Sequence, residues 1–160
     1  MSPTVHGYTG RVFLETRGAN VAAGWATWTL KRGAFTEAAV ARKEFVAHLR
    51  QGAATDADYS AAELIFGELV ANALTHARVR AVVRLWFNDW AHLSVHDDGG
   101  SFAERVITPA ALEAQSGRGL YIVKALARAM RIEGTGTGWV VTAELPVAAK
   151  SDASDLRKMA

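Results

Sequence analysis

A chain of 160 residues is long enough for one domain with a proper core and too short for two ordinary ones. Half of its residues are hydrophobic and 21% are charged, a globular balance, and a net charge of +2 with no Lys/Arg run longer than two gives no electrostatic footprint for direct nucleic-acid binding. Cysteine is absent, which removes disulfides and thiolate chemistry and fits a reducing cytoplasm, and no apolar stretch approaches the roughly 20 residues of a membrane span.

The first residues lack a charged start followed by an apolar block, so a secretory signal is not expected, and no internal repeat is visible. Residues 1–24 read as an N-terminal extension. Within it 11–15 fits a strand and 18–20 a turn into a second strand over 25–30, where Trp, Thr and Leu favour β structure, together a hairpin. Thr36 is placed to cap a helix running to about Arg50, with Ala38, Arg42, Phe45 and Leu49 at helical spacing. Residues 52–56 read as a loop. Ser60 and Glu63 then match a capping box, with Tyr59 and Leu64 as its hydrophobic staple; an earlier start at Asp56 or Asp58 is the secondary reading. Ala62, Phe66, Leu69 and Ala73 form the apolar stripe of this helix, which should end near His76.

Two strands follow. Over 79–87 the residues Val79, Ala81, Val83, Leu85 and Phe87 share one face, with Arg80 and Arg84 on the other; over 91–97, Ala91, Leu93 and Val95 alternate with His92, Ser94 and His96. Asn88-Asp89 supplies the turn of a hairpin in an antiparallel sheet with one covered face. Residues 101–116 are a mostly polar connection. A helix is expected from about Gly119 to Met130 with Leu120, Val123, Ala127 and Met130 inward, then a short strand at Arg131-Ile132, a turn over 134–138 and a final strand over 139–145 that Pro146 stops. Residues 148–160 are small and charged, a frayed tail.

Three segments carry chemistry. By parity Asp97 lies on the face of Leu93 and Val95, where a lone carboxylate needs a partner; the exocyclic amine of adenine is one donor that would satisfy it, and Gly99 lets the backbone pass close to a flat ring. An aspartate opening an Asp-Gly turn is the plainer reading of the same residues. Glu68 and Asn72, four apart on one helix, lie one above the other, and His76 continues the strip. A carboxylate can deprotonate an attacking hydroxyl, and an amide oxygen can take one position of a Mg²⁺ shell; a solvated helix edge is the plainer alternative. Gly67, mid-helix, costs roughly 1 kcal/mol relative to Ala and points to close packing or ligand approach. Gly117-Arg118-Gly119 precedes an apolar-periodic helix, whose free amides and dipole attract phosphate, although a plain turn would look the same. It is neither a Walker loop nor a Rossmann fingerprint. His92 and His96 read as surface histidines, and the five tryptophans as packing residues.

In this order ELVANALTHA (68–77), VHDDGG (95–100) and GRGLYIV (117–123) resemble the N-box, adenine box and phosphate box of the GHKL ATPases, the superfamily of gyrase, Hsp90, histidine kinases and MutL. Within it the chain is most similar to stand-alone anti-sigma factor serine/threonine kinases and their actinobacterial relatives. The resemblance covers about residues 25–147 and implies a Bergerat fold: a two-layer α/β sandwich, a mostly antiparallel sheet with helices on one face. It implies Glu68 as general base, Asn72 as Mg²⁺ ligand, and ATP contacts from Asn72, His76, Asp97, Gly99, Gly100, Gly117, Arg118, Gly119 and Leu120, with 101–116 as a lid over the phosphates. The family's second box commonly reads DxGxG, where this chain has Ser101 last with Gly100 beside it, and its final strand often carries a threonine near adenine, where this chain has Val140.

The function so implied is a cytoplasmic, ATP- and Mg²⁺-dependent anti-sigma factor that phosphorylates a serine or threonine of an anti-sigma antagonist and holds a sigma factor, working as a homodimer. The alternative is an ATP-gated protein-binding switch without catalysis. A sensor histidine kinase would need phosphoacceptor helices, and gyrase- or MutL-type enzymes further domains, for which so short a chain has no room.

Overall fold

The computed structural model describes residues 25–100 and 118–151. Among the described residues five strands and three helices follow in the order β1 (Trp25–Lys31), α1 (Phe35–Gly52), α2 (Tyr59–His76), β2 (Arg80–Phe87), β3 (Trp90–Asp97), α3 (Arg118–Leu126), β4 (Ala129–Thr135) and β5 (Gly138–Ala148). The sheet is antiparallel throughout, in the order β1-β2-β3-β5-β4. Alternation sends Ala81, Val83, Leu85, Leu93, Val95, Ala143 and Leu145 to one face, where they meet the buried stripes of the three helices in a single core. The result is the two-layer α/β sandwich with helices on one face that the resemblance implies.

Several elements depart from expectation, each for a local reason. Helix α1 starts at Phe35 on an Ala34 cap without a side-chain bond, so Thr36 is not the cap. Gly33, at φ 74°, closes a tight turn directly into the helix, with the Ala34 amide donating to the Lys31 carbonyl at 3.0 Å. Arg42 is exposed, and Ala41 takes its place in the buried stripe. In α2 the cap is Asp58, whose carboxylate accepts from the Ala61 amide at 3.0 Å, rather than Ser60; Leu64, 45% exposed, staples nothing. The buried stripe and the end at His76 are as expected.

Met130 lies in β4 and not in a helix, because an edge strand pairing with β5 from Ala129 to Thr135 overrides the helical propensity of an alanine-rich stretch. The turn over 134–138 contracts accordingly to Gly136-Thr137. Strand β5 runs through Pro146. Its pairing with β3 shifts register between His92 and Trp90, and its pairing with β4 ends at Glu144, so the proline sits where no regular ladder amide is required. The expected tail is held at its start: the Lys150 amide donates to the Gly52 carbonyl, and the Ala54 amide to the Ala148 carbonyl, both at 2.8 Å. The hairpin partner sought in 11–15 lies outside the described residues, and β1 pairs with β2. Among the described residues no helix is long and apolar enough to cross a membrane.

The helical layer is keyed by aromatic rings. Phe45 of α1 stacks on Phe66 of α2 with centroids 4.6 Å apart, and Trp28 of β1 meets both edge-on while its indole N–H donates to Glu44 at 2.8 Å. Phe45→Ala therefore removes the key between the two long helices; unfolding in urea should show a loss of about 3–5 kcal/mol with an unchanged slope.

Candidate functional site

Helix α2 places Glu68, Asn72 and His76 on one strip, away from its buried stripe. Glu68 and Asn72 are half-buried and His76 is exposed in the last turn. Among the described residues no hydrogen bond or ion pair engages the side chain of Glu68 or Asn72. Helix α3 packs across this strip by its first turn. There the Glu68 carboxylate lies against Gly119: a Cβ on that glycine would stand 2.6 Å from Glu68 Oε2. Gly119 thus makes room for an acidic side chain at the positive end of a helix dipole. Leu120 turns its side chain into the core, and Arg118 is exposed. Of the expected contacts, then, Leu120 could offer a ligand only its backbone. Gly117 and the stretch 101–116 lie outside the described residues.

Asp97 closes β3 on the inner face, as parity predicts, and is 4% exposed. Its Oδ1 accepts from the Gly99 amide at 2.9 Å, so the inward acid and the Asp-Gly turn are both present. Trp139 stands directly across from Asp97 on β5 and donates its indole N–H to the Gly100 carbonyl at 3.0 Å. Gly138 lies so close that any Cβ there would run into the Asp97 carbonyl. Val140, by contrast, pairs with His96 and Glu133 on the outer face, so it does not adjoin Asp97. A cleft of about 280 Å³ opens beside this turn, lined by Arg78, Asp98, Gly99, Gly100, Thr135 and Trp139 among others.

Sequence reasoning missed Asp98. It accepts from the amides of Arg78 at 2.8 Å, Val79 at 3.0 Å and Arg80 at 3.3 Å, tying the end of β3 to the connection that follows α2. Burial pushes its carboxyl up, but the hydrogen bonds from Val79, Arg80 and Arg78 outweigh this and hold it below the ordinary value. The signal was available: of two adjacent aspartates ending a strand, one must face away from the core. Gly67 is also read differently in the structure. A Cβ there would meet nothing within 4 Å, so close packing does not explain it; it lines a shallow groove between α1 and α2 with Phe35, Phe66 and Val70. His92 stacks on Trp86 at 5.2 Å, and no metal-binding cluster of acidic or histidine residues exists among the described residues.

A family model for the histidine kinase-like ATPase domain matches residues 34–145. The chain belongs to this family. The match runs from the start of α1 into β5 and so spans all three motif segments. Within it the segment 68–77 lies on α2, the segment 95–100 at the end of β3, and the described part of 117–123 on α3. A search of curated proteins found no match.

The Asp98 geometry has a pH consequence. A carboxyl whose folded pKa is depressed stabilises the fold above its unfolded value, about 3.9, and loses that contribution as pH falls through the folded value. Urea titrations should show Asp98→Asn less stable than wild type at pH 7, with the gap narrowing below about pH 4.

Proposed function

We propose that this chain binds ATP-Mg²⁺ and transfers the γ-phosphoryl group to a serine or threonine of a partner protein, acting in the cytoplasm as an anti-sigma factor whose substrate is an anti-sigma antagonist. The observation that carries this reading is the half-buried Glu68 carboxylate, engaged by no described residue and set against the first turn of α3. A structural glutamate in that position would be expected to bond the helix amides or an arginine. A general base instead needs acceptor capacity to spare at the mouth of a phosphate site.

In this reading Asp97 accepts the amino group of adenine while its Gly99 bond fixes the carboxylate. The amides at the start of α3 face the phosphates. Glu68 takes the proton of the incoming hydroxyl, the hydroxyl oxygen bonds to the γ-phosphorus, and the bond to the bridging oxygen of ADP breaks. Asn72 fits a Mg²⁺ ligand: it offers a hard oxygen one helical turn from Glu68, and an ion that retains waters and phosphate oxygens needs few protein donors. Bound there, Mg²⁺ would offset phosphate charge. Positioning and charge stabilisation supply most of the rate.

Two tests follow. Calorimetry should detect ATP-Mg²⁺ binding that falls at least about tenfold in Asp97→Asn, since the amide presents a donor where adenine presents another; equal affinity would remove the adenine assignment. With labelled ATP and the candidate antagonist, Glu68→Ala should bind ATP normally yet transfer at least about 100-fold more slowly. Gly119→Ala, whose Cβ would displace the same carboxylate, should also slow transfer. Partner control that survives Glu68→Ala in cells would favour the ATP-gated switch instead.

A further inference from the structure

Between the last turn of α2 and the first residue of β2 the chain has only Ala77, Arg78 and Val79 in which to reverse. The Ala77 amide still donates to the Ala73 carbonyl at 2.7 Å, as a helix cap. The next three amides converge on one side chain, Asp98, which reaches Arg78 and Val79 through Oδ1 and Arg80 through both oxygens. The Asp98 amide in turn donates to the Arg80 carbonyl at 3.4 Å. This carboxylate is adjacent in sequence to Asp97 and faces away from it.

We propose that Asp98 is a positioning residue for the nucleotide site: by gripping three successive amides it fixes the carboxyl end of α2, with Asn72 and His76, relative to the strand end that carries Asp97. The inference rests on the nucleotide-site reading given above. Its logic is that the two halves of that site come from different elements. Asn72 rides on α2 and Asp97 on β3, and the Asp98 clamp bridges the two at their adjoining ends. Charge-assisted bonds to backbone amides are short and directional, so they fix register better than apolar packing does. Other bonds keep the connection folded when the clamp is absent. The Arg32 amide holds the Val79 carbonyl at 2.8 Å, and the Gly33 amide the Leu74 carbonyl at 3.3 Å. Removing the Asp98 carboxylate therefore loosens one side of the connection and leaves β2 paired.

The test compares full-length wild type, Asp98→Ala and Asp98→Asn by calorimetry with ATP-Mg²⁺ well below the melting temperature, and by NMR amide exchange at Arg78, Val79 and Arg80. In Asp98→Ala the three amides should exchange faster and ATP affinity should fall about tenfold. Asp98→Asn, which keeps one acceptor oxygen, should recover most of both, and it carries the comparison if the alanine variant does not fold. A variant that melts earlier and exchanges faster but binds ATP as wild type does would make Asp98 purely structural and overturn the inference. Wild type that fails to bind ATP at all would overturn the nucleotide reading itself, a different result.

Discussion

A carboxylate on the apolar side of a sheet is the constraint around which the site is arranged. Asp97 shares its face with Leu93 and Val95 and is almost wholly buried, where an unsatisfied charge would be prohibitive. The surrounding chain meets part of that demand with a backbone amide. The strand ends at once, so the Gly99 amide folds back onto Oδ1. Gly138 of the facing strand has no Cβ, which allows β5 to approach the Asp97 carbonyl. An acid held in this way is oriented before any ligand arrives, and recognition of a donor then costs little ordering.

Glu68 shows the complementary arrangement. It is half-buried on α2, and its carboxylate lies against the first turn of α3 with no bonded partner among the described residues. Glycine at position 119, inside the first turn of that helix, sacrifices local propensity for the volume the carboxylate occupies. Local choices that weaken an element without a packing return are expected where a site has demands of its own. Gly67 is the contrasting case, since open space beside it leaves nothing in the described residues that a side chain would displace.

Alternation and helical spacing were strong enough in the sequence to place β2, β3, the stripe of α2 and the inward side of Asp97, because each is a local pattern read over several residues. What escaped depends on partners distant in sequence. Met130 is a strand residue only because β5 lies beside it, and Pro146 is tolerated only because the ladders on both sides lapse there. The cap of α1 was misplaced by two residues, since Gly33 acts through turn geometry and not through periodicity, while of the starts open for α2 the structure takes Asp58. The position beside Asp97 went to Trp139 instead of Val140 for the same reason: a strand's face is fixed by register with its neighbour, which spacing within the strand does not reveal.

Adjacent aspartates raise a last question, how two negative charges coexist at one strand end. Like charges at short range disfavour ionisation of both. Pleating sends the two side chains to opposite faces, and the Asp98 carboxyl is nonetheless held below its ordinary value by amides from Arg78, Val79 and Arg80. The arginines contribute backbone here. The Arg78 guanidinium reaches instead to the neighbourhood of Gly100, within 3.3 Å of where a Cβ would be. A charge stabilised by directed amides is less sensitive to salt than one balanced by an exposed cation, because screening weakens the attraction between exposed ions far more than a short hydrogen bond. The strand end that presents Asp97 is therefore braced by interactions that changes in ionic strength leave largely intact.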